Sequence, residues 1–295
     1  MMLVTGYRST TFMLAVMAGC SIFAPAAAVS SFLAPLSTSP STRLLLQVLG
    51  VCLLPTIASA FSLKDAAENS RLASNTYKRL NLGLLAAGLT VLLNKRTAEA
   101  IWLATKVDIP SGFFYATSVF TLMSILTMFC FTEAEEATLA QTPTVLFKGA
   151  MDFVLGLFTR TTAVGVIYSM LAVITLASAA FLLVSPIPSM QLFLSGPLDP
   201  AIVLDTFLIR CTGAAMFPFG AAMYCLQDAA NRDRLKASTF RVLNLSLAGY
   251  GYFIAAVYSM AIAGGAGTIV LAVDAATSVL IGTFGLYCYL TFKKE

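Results

Sequence analysis

The chain has 295 residues, of which 58% are apolar and only 11% charged, with a net charge of +4. Soluble domains carry about 25% charged residues, so a mean hydropathy of +0.86 and several long apolar runs point instead to a polytopic helical membrane protein. Strand-type alternation is absent, which argues against a membrane β-barrel. Zero histidines remove histidine-ligated haem, most zinc and copper sites and the usual general base.

Eight spans are predicted in chain order, at residues 11–35, 44–63, 71–93, 112–131, 162–184, 206–226, 234–263 and 268–292. The first has a rival reading. Arg8, the apolar run and Ala26-Ala27-Ala28 fit a cleaved secretory signal, and "SIFAP" loosely resembles the junction of plastid-targeting signals in algae with complex plastids. A counterpart role with the fifth span favours retention. The third span has a purely apolar part of only 14 residues, 80–93. Starting its helix near Arg71 lengthens it, with Lys78 and Arg79 reaching to the interface. The same argument starts the seventh near Arg234. Between the fourth and fifth spans, Glu133, Glu135 and Glu136 read as a solvated helix end. "TPTVLFKGAMDFVLGLF" reads as an interfacial helix with Lys148 and Asp152 on an otherwise apolar segment. The proline- and glycine-rich "SPIPSMQLFLSGPLDPAIV" reads as an outside connection whose "MQLFL" dips against the bilayer or a partner.

Basic residues test the topology. With both termini inside, thirteen of the 18 Lys and Arg fall inside; Arg43, Lys95, Arg96, Lys106 and Arg210 fall outside. That bias is the one the positive-inside rule requires. The positives flank spans, so no nucleic-acid partner is implied; the lipid bilayer is, with membrane-protein partners or self-association as further options. The six cysteines lie in apolar runs without CxxC spacing and read as small packing residues.

The segment 44–84 aligns without gaps on 207–247, with 15 identities in 41 positions, including Gly50, Pro55, Asp65, Arg71 and Asn81 with their partners 163 residues later. Shared Leu and Ala mean little in two apolar segments; shared Asp, Arg, Asn, Gly and Pro mean more. "ATSV" recurs at Ala116 and Ala276. The expected fold is therefore all-α: an integral membrane protein with eight transmembrane helices as two tandem, parallel four-helix repeats. The units are residues 1–132 and 162–295, joined by an inside linker at 133–161.

At the start of the second helix of each unit stand "QVLG" (Gln47–Gly50) and "RCTG" (Arg210–Gly213), each followed by a charged hairpin into the third helix. These features, over roughly 40 residues per unit, resemble the DoxX-like four-helix membrane domains. The resemblance implies a compact four-helix bundle and no particular activity. Gln47 departs from the Arg-x-x-Gly pattern, so only the second unit would keep an arginine role.

Few polar residues need reasons. Ser70 and Asp233 are good N-caps for the third and seventh helices. Asp65 and Asp228 lie near helix ends that disfavour anions, and Arg71 and Arg234 near helix starts that disfavour cations. Pairing of Asp65 with Arg71 and of Asp228 with Arg234 across each turn would offset both, as hairpin staples. Asn81 and Asn244 want hydrogen-bond partners, either within each unit or at a polar site between the units. Pro55 and Pro218 should bend their helices. "GYGYF" reads as close helix packing. Asp274 is an intramembrane carboxylate without a repeat counterpart; it pairs with Arg210 or serves proton or cation coupling. No nucleophile–base pair is visible, so no enzyme, no cofactor and no metal site are implied. Two functions remain: a structural or interaction component of a membrane, or a small-solute or ion/proton-coupled transporter with its site between the units, at Asp274, Arg210, Asn81 or Asn244.

Overall fold

The computed structural model describes residues 2–27, 40–105, 144, 147–148, 151, 155–156, 162–193, 202–265 and 268–292. Among the described residues the regular structure is helical throughout, with no strand. In chain order the elements are α1 (Met2–Phe23), α2 (Pro40–Glu68), α3 (Asn75–Thr105), α4 (Ala163–Val184), α5 (Pro186–Phe193), α6 (Ile202–Asn231), α7 (Ser238–Ala263) and α8 (Ile269–Thr291). Five of these, α2, α4, α6, α7 and α8, are long and apolar enough to cross a membrane, and the chain is an integral membrane protein. The expected fourth span, 112–131, and most of the linker lie outside the described residues. So does Phe114, the position aligned with Asp274. Within the linker, Thr144, Phe147, Lys148, Met151, Leu155 and Gly156 are helical. Phe147, Met151 and Leu155 share one exposed apolar face.

Two helices, α4 and α8, begin where their caps dictate. The Thr162 side chain accepts from Gly165 N, opening α4, and Thr268 accepts from Leu271 N, opening α8. Both match the expected spans within a residue. α1 does not match. It starts nine residues before the expected span and ends at Phe23. The polar run is helical because the hydroxyls of Thr10 and Thr11 donate to the carbonyls of Gly6 and Tyr7, at 2.9 and 2.8 Å. Tyr7, Thr10, Leu14, Ala18 and Ser21 then form one buried stripe at helical spacing. α3 runs 31 residues, about 46 Å at 1.5 Å per residue. Its Lys78–Arg79 end and its Lys95–Arg96–Glu99 end bracket the short apolar run and extend beyond a hydrocarbon core of about 30 Å. Glu99 takes both cations of its own end, from Lys95 at 3.7 Å and Arg96 at 3.6 Å. The connection after α4 contains α5, in which Met190 is fully buried.

α2 and α6 form the centre. They bury 72% and 78% of their most apolar stretches, against 22–33% for α4, α7 and α8, which therefore turn most of their surface to lipid. Pro55 and Pro218 lie inside α2 and α6, each removing one backbone hydrogen bond from its helix. Thr56 in α2 donates to the carbonyl of Ala215 in α6 at 3.3 Å. α1 packs on α2 and α4 packs on α6. A Cβ on Gly50 would meet Ser21, Ile22 and Ala18 of α1 at 2.8–3.1 Å. A Cβ on Gly213 would meet Ala179, Leu182 and Leu183 of α4 at 3.0–3.1 Å. Those are the same three positions, 161 residues later.

The third helices cross over. α3 packs more on α6 than on α2, and α7 more on α2 than on α6. Gly83 of α3 sits against Ala221 and Pro218 of α6. Ile254 and Val257 of α7 cluster with Leu44 and Val51 of α2. The two halves of the sequence are therefore interleaved among the described helices. α8 packs on α7, where Gly251 lies against the backbone of Gly282 and Ser278; "GYGYF" is a close-packing element.

The α2–α3 and α6–α7 turns match bond for bond. Ser70 and Asp233 hold left-handed φ of 54° and 52°. Ser70 N donates to Ala67 O (3.4 Å) and Arg71 N to Ala66 O (2.8 Å); Asp233 N donates to Ala230 O and Arg234 N to Ala229 O at the same lengths. This is the Schellman pattern, with a non-glycine residue at the left-handed position. Ser70 and Asp233 thus end the preceding helices and do not cap the following ones. α3 and α7 begin four residues later than expected because residues 70–74 and 233–237 complete the turns. Ala237 caps α7 without a side-chain bond.

A left-handed conformation costs an L-residue about 1–2 kcal/mol, less for Asp. Ser70→Gly and Asp233→Gly should each therefore raise stability in detergent, by roughly 0.5–1 kcal/mol, in thermal unfolding. Arg71→Ala should change it by less than about 0.5 kcal/mol, because exposed ion pairs contribute little. A larger loss on Arg71→Ala than the gain on Ser70→Gly would show that the ion pair holds the turn.

Candidate functional site

The two buried asparagines are internally bonded. Tyr7 Oη on α1 donates to Asn81 Oδ1 on α3 at 2.6 Å. Tyr168 Oη on α4 donates to Asn244 Oδ1 on α7 at 2.5 Å. Both asparagines are fully buried, and each keeps an Nδ2 without a hydrogen bond. The tyrosines, 161 residues apart, lie where the first helix of each half of the sequence crosses behind the third. The asparagine signal was legible as a polar residue deep in a span. Its partner was not, because Tyr7 fell before the expected first span.

Asp274 has a different setting. A cavity of about 200 Å³ lies between α2, α4, α6, α7 and α8. Asp274, Thr277 and Ser278 line it from α8, Tyr250 and Tyr258 from α7, Thr212 and Met216 from α6, Ser178 and Phe181 from α4, and Val48 and Cys52 from α2. Neither Asn81 nor Asn244 lines it, and among the described residues the lining holds no lysine or arginine. Tyr250 and Tyr258 share this lining with the Asp274 carboxylate. The Tyr250 ring rests on Phe219 with centroids 4.6 Å apart, which fixes its orientation. The walls are otherwise aliphatic. Such a cavity offers a small molecule an apolar chamber, hydroxyl groups and one carboxylate.

Arg210 is half-buried on α6, and its Nε is buried without a hydrogen bond. It forms no ion pair with Asp274 among the described residues, so the predicted pairing does not neutralise the carboxylate. A second acidic residue was missed. Asp205, in the first turn of α6, is buried and accepts from Thr42 Oγ1 at 2.6 Å and Ser41 Oγ at 3.1 Å. Thr42 and Asp205 are equivalent positions, 163 residues apart, that meet where the starts of α2 and α6 adjoin. An acidic residue in an apolar stretch was the available signal; the expected sixth span began one residue after it.

The hairpin residues divide. Asp65 and Arg71 pair at 3.6 Å, both well exposed. Asp228 instead takes Arg232 at 3.0 Å and Arg79 at 3.4 Å; Arg234 is exposed and does not staple its turn. Arg79 comes from α3 and lies over the Tyr224 ring of α6 at 4.2 Å. It is a cation–π contact and an ion pair between interleaved helices.

The tyrosine–asparagine pairs are open to a double-mutant cycle. Tyr168→Phe leaves the Asn244 carbonyl buried without a donor and should cost about 1–3 kcal/mol. Tyr168→Phe with Asn244→Leu should cost less than the sum of the single changes by at least about 0.5 kcal/mol. Additive losses in thermal unfolding would mean that the bond contributes nothing. Comparison with known proteins finds no matching protein-family model and no matching curated protein.

Proposed function

We propose that this chain is a multi-pass membrane protein that takes a small solute into the cavity beside Asp274 and passes it across the bilayer. The observation that supports this reading is an intramembrane carboxylate with no basic residue beside it among the described residues, lining a cavity built by helices from both halves of the sequence. A charged side chain inside a membrane is costly and marks substrate or ion pathways. Ordinary packing gives no reason for one there.

The reading includes the duplication. Eight spans form two parallel four-helix repeats, 1–132 and 162–295, linked by an interfacial segment at 133–161, with both termini inside. Matched glycine contacts, matched turns and matched tyrosine–asparagine pairs support it. The DoxX-like kinship of each repeat belongs to the same proposal, with the third helices exchanged. Burial of Tyr7 supports retention of the first helix. The repeats are the natural moving parts, as in other duplicated transporters.

One observation favours a second reading, a structural or interaction component of a membrane complex. Asn81 and Asn244 both spend their carbonyls on internal bonds, away from the cavity. On either reading the chain is not an enzyme.

The test is flux into liposomes holding the purified chain, over a set of cationic, neutral and anionic small solutes. Wild type should move at least one, and Asp274→Asn should slow it at least tenfold while reconstituting equally well. Flux unchanged in the variant would remove the site from Asp274, and no flux for any solute would leave the structural reading.

A further inference from the structure

We infer that the molecule fitting this cavity is a small organic ammonium compound, about one ring in size, with Asp274 as its counter-ion. This rests on the cavity being a solute site. Charge is the first argument. A carboxylate in a low-dielectric chamber is costly unless it is neutralised or paired. Among the described residues the lining supplies no lysine or arginine and Arg210 forms no ion pair with Asp274, so a cationic ligand is what would pair the ionised carboxylate. Anions are disfavoured by the same term.

Size and surface narrow the class. Cavities of about 150 Å³ take up benzene, so about 200 Å³ suits one ring with a short arm and is too small for a lipid. A bare metal cation of the calcium or magnesium type wants six or more oxygen ligands. Here aliphatic walls from Leu45, Val48, Ile209 and Ile281 surround a single carboxylate. Tyr250 and Tyr258 add what an ammonium group uses besides a carboxylate: aromatic faces for cation–π attraction and hydroxyl acceptors. The Tyr250–Phe219 contact holds one of those rings in place before binding. Ser178, Thr212 and Thr277 can accept the remaining N–H donors.

A charge series on one skeleton tests the inference: 2-phenylethylamine, 2-phenylethanol and phenylacetate, titrated against the full-length protein in nanodiscs by calorimetry and thermal shift. The amine should bind at least tenfold tighter than the alcohol, and phenylacetate should not bind. Asp274→Asn should bring the amine down to the affinity of the alcohol and leave the alcohol unchanged. Val48→Phe, which fills the chamber from α2, should weaken both. Equal binding of amine and alcohol to wild type overturns the ammonium assignment and leaves the cavity reading standing. Amine binding that survives Asp274→Asn also overturns it. If no member of the series binds and Val48→Phe leaves solute flux unchanged, the cavity reading itself fails.

Discussion

Two proline-bearing helices, α2 and α6, lie against each other at the centre, and α1, α3, α4 and α7 each pack on one of them. Lipid tails are as apolar as leucine, so helix association in a membrane rests on close packing and interhelical hydrogen bonds. Both are found here. Gly50, Gly83, Gly213 and Gly251 sit where a neighbouring helix comes within contact distance of a Cβ. Thr56–Ala215, Thr42–Asp205, Tyr7–Asn81 and Tyr168–Asn244 supply the bonds. Interleaving follows from the same economy of contact. Once α3 has left its turn, the small residues that receive it are Ala221 and the Pro218 backbone on α6.

The polar residues sort by whether their partner lies inside the protein. The asparagines, Asp205 and Asp228 are each bonded to groups from another helix or their own turn, and so contribute to the build. Asp274 is the departure. Its helix is the least buried of the five apolar ones, yet the carboxylate lines the cavity, among described groups that are apolar or neutral. A carboxylate lining a cavity with no lysine or arginine among its described residues is the physical ground for the proposal at Asp274.

Several local features were readable from residues alone and others were not, for identifiable reasons. The starts of α4 and α8 fell at the expected spans because Thr162 and Thr268 cap the apolar runs that follow them, which needs no tertiary help. Ser70 and Asp233 misled for a related reason: the residue types that cap a helix start also tolerate the left-handed close of the preceding one. The Asp–Arg staple was inferred from helix dipoles. Exposed charges interact too weakly to hold a turn that backbone hydrogen bonds already close, and Asp228 found nearer cations.

By itself, the sequence determined the solvent and the material. Its hydropathy requires a bilayer, the length of its apolar runs requires helices, and the 163-residue correspondence marks which residues to compare. Those properties are local or one-dimensional, so they can be read along the chain. Only the tertiary structure decided that the third helices change partners, that Tyr7 and Tyr168 complete the buried asparagines, and that Asp274 faces a cavity and not Arg210. Each of those outcomes depends on which surfaces meet across helices far apart in the chain, and helix–helix packing in lipid is settled by side-chain shape, which apolar composition does not encode.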